Sequence, residues 1–175
     1  MKSILWPGAL LTLALSGSVS AAEDNVHFSG ALVSEPCTLP DTDTDIHLDF
    51  GSVINKYLYQ YKRTKSQPFS IHLEDCDTTI MNTVSIMFQG TGDSELTDML
   101  ALETTSTAKG VAVGLEFEDG SLLSLNKASP FRHINTGDNT LTFNAFVQAQ
   151  PSALINRTLQ MGTFTAIGTF ILAYK

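Results

Sequence analysis

The stretch GTFTAIGTFILAYK, residues 162–175, ends the chain and carries its clearest indication of fold. Every second residue from Phe164 onward is apolar or small, which is the period-two pattern of a strand with a buried face. The opposite face also carries Ile167 and Ile171, and a strand that is apolar on both faces normally has neighbours on both sides. Because the sequence ends at Lys175, we expect this strand to border a groove that a strand from another molecule fills.

The opening residues, 1–21, have the order of a secretory signal peptide: a basic residue, an apolar run and small residues before the cleavage point. Lys2 supplies the charge, and residues 4–15 form the largely apolar run. This run is shorter than the ~20 residues that a membrane-spanning helix needs. We expect cleavage after Ala21, with Ala22 as the alternative, which gives an exported protein that is not inserted into a membrane.

The charge balance is acidic, with a net charge of −8 at pH 7. Removing the leader removes Lys2 and no acidic residue, so 9 basic residues remain against 18 acidic ones. An acidic surface argues against nucleic acid or an anionic membrane as a partner. Solubility alone is the simpler reason for such a charge.

The two cysteines of the chain are Cys37 and Cys76. In an oxidising compartment such a pair predicts a disulfide, and closing a loop of this length stabilises a fold by roughly 3 to 4 kcal/mol. Metal ligation is the alternative. It is the poorer one, because the cysteines have no CxxC partner and no ligand spacing links them to the histidines, His27, His47, His72 and His133.

Alternating apolar residues recur along the rest of the chain, and no helical period runs long enough to compete. The predicted strands cover residues 46–50, 69–73, 84–88, 111–117, 122–125, 140–150 and 163–175. The Asp119-Gly120 pair between two of them is a tight-hairpin signal. Several short strands with Gly-rich and Asp-rich turns, in roughly 150 residues, predict one all-β domain of the immunoglobulin-like sandwich type.

A second alternating row lies near the mature N-terminus, at Val26, Phe28, Gly30 and Leu32. The polar residues 22–25 before it offer nothing that would anchor it to its own fold. Burying its three apolar side chains would contribute roughly 1.5 to 3 kcal/mol each, in addition to the hydrogen bonds of a strand ladder. We expect Gly30 to lie where a receiving groove is too tight for a Cβ. The alternative is an ordinary first strand of the chain's own sheet.

The sequence resembles the pilin subunits of chaperone-usher fimbriae. The resemblance covers the whole mature chain and is most specific at its C-terminal end. That family has a glycine fourteen residues from the C-terminus, an alternating apolar row and a penultimate tyrosine. The matching residues here are Gly162, Phe164, Ala166, Gly168, Phe170, Leu172 and Tyr174, followed by Lys175. The other matches are Phe28–Leu32 as the donor strand, the pair Cys37 and Cys76 as the family's disulfide, Asp49-Phe50-Gly51 and Asp119-Gly120. Within this family the chain resembles the minor tip and adaptor pilins of P-type and type 1 fimbriae.

This resemblance implies an incomplete immunoglobulin-like sandwich that lacks its last strand and is completed in trans by donor-strand complementation. It divides the chain into a signal peptide (1–21), an N-terminal donor-strand extension (22–34) and a pilin domain (35–175). Its implied partners are a periplasmic chaperone, whose basic residues hold the terminal carboxylate of Lys175, an outer-membrane usher and neighbouring subunits, joined head to tail. The implied location is a fimbrium on the bacterial cell surface, where it supports adhesion, and no cofactor is implied.

Other functions are disfavoured by the motifs. The acidic run from Asp41 to Asp45 begins like a calcium loop, but Ile46 and Ser52 stand where such a loop needs glycine and glutamate, so we expect a solvated loop. The glycosylation sequon at residues 156–158 is not expected to be used. The sequence contains no GxSxG or HExxH motif, either of which would indicate an enzyme. Two alternative functions remain. One is a tip adhesin that binds host glycans, but the family's adhesins have a separate receptor-binding domain, for which we expect no room in this chain. The other is a free-standing secreted sandwich.

Overall fold

The structure, a computed structural model, describes residues 34–175. The predicted signal peptide and the alternating row from Val26 to Leu32 lie outside the described residues. Residues Ser34–Lys175 form one compact unit. None of the helices in this part of the chain is long and apolar enough to cross a membrane.

Two antiparallel sheets of three strands each make up the described domain. The strands are β1 (Gln67–Cys76), β2 (Thr83–Gln89), β3 (Val111–Phe117), β4 (Arg132–His133), β5 (Gly137–Ala149) and β6 (Thr169–Tyr174). The first sheet has the order β1-β5-β3 and the second the order β4-β2-β6. The all-β prediction is confirmed.

The long strand β5 organises the first sheet because it pairs along both of its edges. Phe143 lies opposite Phe69 of β1 and Phe117 of β3 in the two registers. Its alternate residues Phe143, Ala145 and Val147 are buried, as the period-two pattern predicts. This strand therefore carries the middle of the sheet's inner face.

The core lies between the two sheets, and aromatic rings join them. The rings of Phe88 on β2 and Phe143 on β5 have centroids 5.5 Å apart in an edge-to-face arrangement. Phe69 on β1 lies 5.9 Å from Phe88 and 5.7 Å from Phe143. Ile71 and Leu73 are fully buried beside them. Edge-to-face rings at these separations stabilise a core beyond the area that they bury.

The predicted disulfide is present in the structure and joins Cys37 to Cys76, the last residue of β1. Next to it, Thr38 and Glu74 exchange two backbone hydrogen bonds of 2.8 Å each. The chain before β1 is thereby attached to the free edge of that strand, and both sulfur atoms lie in the core.

Three strand predictions are wrong in their extent. Residues 46–50 keep the predicted alternation, with Ile46, Leu48 and Phe50 half-buried, but they form no ladder with another described residue. Residues 122–125 make one hydrogen bond to β3, from Leu123 N–H to Leu115 O, before the chain turns away. The last strand begins at residue 169 and not at residue 163.

Two short helices were not predicted. Helix α1 (Asn55–Tyr61) buries Leu58 and ends at Lys62, which has a left-handed backbone. Helix α2 (Pro151–Asn156) begins with proline in its first turn, where the missing N–H costs no hydrogen bond. With one buried residue each, neither helix produces a detectable helical period.

The expectation of a solvated acidic loop at residues 41–45 is partly wrong. Asp41 and Asp45 are exposed, but Asp43 lies in a short 3-10 turn and is buried. A buried carboxylate needs hydrogen bonds to compensate for lost hydration, and Asp43 receives them from His72. Among residues 34–175, no group of three or more His, Cys, Asp or Glu side chains is arranged to hold a metal ion.

Candidate strand-acceptor groove

A groove of about 1370 Å³ runs along the described domain. Its lining includes Val113 and Leu115 of β3, Val147 of β5 and Phe88 of β2, all buried core residues. Two stretches without regular secondary structure also line it: residues 45–53, here called the 45–53 segment, and residues 159–168. The core of the sandwich is therefore accessible along a trench of largely apolar side chains.

The C-terminal residues change partners along this groove. The carbonyl of Thr163 accepts a hydrogen bond from Thr107 N–H at 2.9 Å, and the carbonyl of Thr165 accepts one from Glu103 N–H at 2.8 Å. From Thr169 onward the chain pairs with β2 of the second sheet. Residues 166–168 therefore carry the chain from the 103–109 loop to the sheet.

Two glycines permit this route. A Cβ on Gly162 would lie 2.6 Å from the backbone nitrogen of Ala108, a separation that Cβ atoms do not tolerate. A Cβ on Gly168 would lie 3.2 Å from the side chain of Leu100, a contact that requires a small shift of a flexible group. The glycine fourteen residues from the C-terminus is thus required by the close approach of residues 107–108.

One row of side chains follows the groove. The half-buried members of this row that pack against the core are Phe164, Ala166, Phe170, Leu172 and Tyr174. The intervening side chains of Ile167 and Ile171 are exposed. The structure brings Gly162, Phe164, Ala166, Gly168 and Phe170 together in the groove lining, and the row continues into the core at Leu172 and Tyr174.

The strand β6 has a free edge beside the groove. Lys175 exchanges two backbone hydrogen bonds with Thr83, at 3.0 and 3.1 Å. In an antiparallel ladder the backbone N–H and C=O groups of every second residue before Lys175 therefore also point towards β2. The N–H and C=O groups of Phe170 and Leu172 therefore point away from β2. Among the described residues, no strand pairs with this side of β6.

The free edge continues upstream of β6. Because Thr163 and Thr165 direct their backbone groups towards residues 103–107, the alternation of an extended chain turns those of Phe164 and Ala166 the other way. Phe164, Ala166 and Gly168 make no backbone hydrogen bond with another described residue. Unpaired backbone groups and an apolar trench thus run side by side over about nine residues, roughly 30 Å of extended chain.

Comparison with known proteins matches residues 26–175 to the family described as fimbrial protein. The chain belongs to this family. It is 33% identical to an uncharacterized fimbrial-like protein, YfcP, of Escherichia coli K12, over 94% of this chain and 90% of that protein. It is 32% identical to the major MR/P fimbria protein of Proteus mirabilis, over 92% and 91% of the two chains.

A solved structure shares the fold of this fimbrial protein. The crystal structure of the P pilus rod subunit PapA matches with a TM-score of 0.70 and 22% identity, and the match covers 81% of this chain and all of that chain. The predicted family, a subunit of chaperone-usher fimbriae, is confirmed. Because the family match and the fimbrial relatives identify it as a fimbrial protein, the chain is a structural subunit of a surface fimbrium, where it contacts neighbouring subunits, and not an enzyme.

The end of the fimbrial subunit is held by its own chain. The main-chain oxygen of Lys175 accepts hydrogen bonds from Asn82 N–H at 3.2 Å and from the hydroxyl of Thr83 at 2.8 Å. Burial is the main cause that raises the pKa of Tyr174, and the negative charge of Glu35 adds to it. The last two residues are thus firmly placed at the end of β6.

Sequence reasoning missed part of the groove lining in the fimbrial subunit. Leu100 lies in no predicted strand, but it exchanges two backbone hydrogen bonds with Val113 and packs between Gly90 and Gly168. Residues 46–50 are predicted as a strand of the fold, but they form no ladder and, with the rest of the 45–53 segment, line the groove. The alternation of Ile46, Leu48 and Phe50 was the signal, since it records burial and not a hydrogen-bonded ladder.

Proposed function

We propose that this fimbrial subunit joins its neighbours by donor-strand exchange. In this mechanism the N-terminal residues 22–34 of one subunit enter the groove of the next. The observation that carries the proposal is the backbone edge from Phe164 to Leu172: no residue from 34 to 175 pairs with it, and it borders an apolar groove that none of these residues fills. An inserted strand would satisfy the unpaired backbone groups and cover the core in one step.

The donor strand of this proposal is the alternating row Val26, Phe28, Gly30 and Leu32. In an extended strand these residues share one face, and that face would meet the groove lining. The cleaved signal peptide of residues 1–21 would leave this row near a free N-terminus. The pilin domain, residues 35–175, would supply the groove.

Before assembly, the groove needs protection, because an exposed apolar edge pairs readily with other chains. A periplasmic chaperone would lend a strand to the groove, with basic chaperone residues binding the terminal carboxylate of Lys175. At the outer-membrane usher, the donor strand of the next subunit would replace the chaperone strand.

The identity of the subunit as a minor tip or adaptor pilin stays a prediction.

Repeating this exchange would give a fibre. The donor row and the groove are different surfaces, so the contact is heterologous, and a heterologous contact whose rotation does not close into a ring gives an open fibre. The expected product is an open, head-to-tail fimbrium that supports adhesion of the bacterium.

The proposal is tested by deleting residues 22–32 from the chain. The shortened subunit keeps the groove and should still bind its chaperone, but it should no longer insert into a neighbouring subunit. Chaperone binding is measured by co-purification from the periplasm and insertion by the subunit content of isolated fimbriae. A shortened subunit that donates to its neighbours as the full chain does would contradict the proposal.

A further inference from the structure

We propose that Asp43 is a positioning residue: it fixes the 45–53 segment beside the groove and thereby determines how tightly an inserted strand is held. This inference rests on the proposed use of the groove as a strand acceptor. It concerns the acidic run of residues 41–45, which the sequence pattern alone assigns to a solvated loop.

The hydrogen-bonded ladder along the outer edge of β1 stops at Pro40. Thr38 and Glu74 exchange both backbone hydrogen bonds, and the next pair of this kind would join Pro40 to His72. Pro40 has no N–H to donate. Its carbonyl is used instead by Asp43 N–H, at 2.9 Å, which closes the 3-10 turn.

The side chain of Asp43 takes the place of the missing ladder partner. Its Oδ2 accepts the backbone N–H of His72 and also the ring Nδ1–H of that residue, at 2.8 Å. The Asp43 side chain is 9% exposed. Removing a buried acceptor of this kind leaves its donor unpaired, which is unfavourable.

Beyond Asp43, the chain loses its polar attachment to the sheets. Among the described residues, the 45–53 segment makes no backbone hydrogen bond to another segment. Its polar contacts are local, from Gly51 N–H to Asp49 and between His47 and Asp45 at 3.2 Å. On the upstream side, therefore, Asp43 is the last polar attachment to a sheet before the 45–53 segment.

Side chains of the 45–53 segment meet the C-terminal part of the chain across the groove. The rings of Phe50 and Phe164 have centroids 6.2 Å apart, and both residues line the groove. A strand in the groove would lie against the 45–53 segment as well as against the free edge at Phe164 to Leu172. A shift of the segment would change both the ring contact and the fit of the strand.

The experiment compares Asp43→Ala with Asp43→Asn, whose amide oxygen still accepts the His72 N–H. Asp41→Ala is the matched control, because this acid lies in the same run, is exposed and does not line the groove. Each variant is made in the chain that begins at residue 34. The bound probe is a synthetic peptide of residues 22–33.

Two quantities are measured. Without peptide, nuclear Overhauser contacts between the rings of Phe50 and Phe164 report the position of the 45–53 segment. With labelled peptide, the dissociation rate reports the hold on an inserted strand. We expect Asp43→Ala to lose the ring contact and to release the peptide about tenfold faster. Asp43→Asn should recover most of both, and Asp41→Ala should match the parent.

Retention of the ring contact and of the parent dissociation rate in Asp43→Ala would overturn the inference. A loss of equal size in Asp41→Ala would also overturn it, since any acid of the run would then suffice. If the parent itself takes up no peptide, the proposed function fails, and the ring contact measured without peptide still decides the role of Asp43.

Discussion

Gly162 stands where the C-terminal chain passes closest to residues 107–108, and this contact explains its identity. Any side chain there would press on the backbone of Thr107 and Ala108 as well as on the hydroxyl group of Thr107. We expect Gly162→Ala to destabilise the fold by about 1–3 kcal/mol, the usual cost of overpacking. Gly168→Ala is the matched control, because its Cβ would meet the movable side chain of Leu100.

The measurement for these two glycine variants is the denaturant midpoint of unfolding, compared with the parent at one pH and temperature. A larger loss for Gly162→Ala than for Gly168→Ala supports this interpretation of the contact. Equal midpoints for the two variants would show that the chain near residue 162 moves aside easily.

The pKa of Asp43 has a consequence for stability in acid. Burial raises this pKa and is the largest single cause, but the hydrogen bonds and the charge of His72 together outweigh burial, so the pKa is lowered from its ordinary value of 3.8. A lowered folded-state pKa adds stability above the unfolded-state value, and this stability is lost as pH falls below about 4. In Asp43→Asn that loss is absent.

We therefore expect the unfolding free energy of Asp43→Asn to decline less steeply than that of the parent below about pH 4. Denaturant unfolding at closely spaced pH values measures this difference in slope. Side-chain hydrogen bonds also lower the pKa values of Asp77, Asp98 and Asp119. These three groups contribute to the decline in unfolding free energy with falling pH in both proteins. Parallel pH profiles for parent and variant would contradict the assignment.

Strands that pair on both edges or pack firmly on one face could be predicted from the sequence. The alternation of residues 111–117 gives β3 without error, and that of residues 140–150 gives β5 to within three residues. The pattern reports which side chains are buried. It does not report which backbone groups are paired, and for that reason residues 46–50 and residues 122–125 were assigned too much strand.

The candidate groove could be predicted in its C-terminal half and not in the rest. The row from Phe164 to Tyr174 is visible because every second residue is apolar or small. Leu100 gives no such signal, since its burial comes from a loop that packs beside two glycines distant in sequence. Helix α1, which comes after the 45–53 segment, buries Leu58 alone and leaves no period to detect.

The donor strand carries a prediction that depends on its register. If Gly30 faces the narrowest part of the groove, a peptide of residues 22–33 with Gly30→Leu should bind at least about tenfold more weakly, because the extra side chain does not fit. Ser29→Leu is the matched control, since alternation places residue 29 on the opposite face. Titration of both peptides against the chain from residue 34 measures the difference. Equal affinities would exclude a tight subsite at Gly30.

The described domain as a unit has a core that one groove leaves uncovered. Two three-stranded sheets and a buried disulfide hold the rest of the sandwich, but Val113, Leu115 and Val147 line an open trench. A ligand that binds only the folded state raises its stability in proportion to the logarithm of its concentration over Kd. A strand that fills the groove should therefore have a large effect on unfolding.

The most direct test is thermal unfolding of the chain from residue 34, with and without the peptide of residues 22–33. We expect a rise in Tm that grows with peptide concentration and is absent with a scrambled peptide of equal composition. An unchanged Tm at saturating peptide, for a domain that is already stable and monomeric alone, would contradict the claim that a strand from another molecule completes the fold.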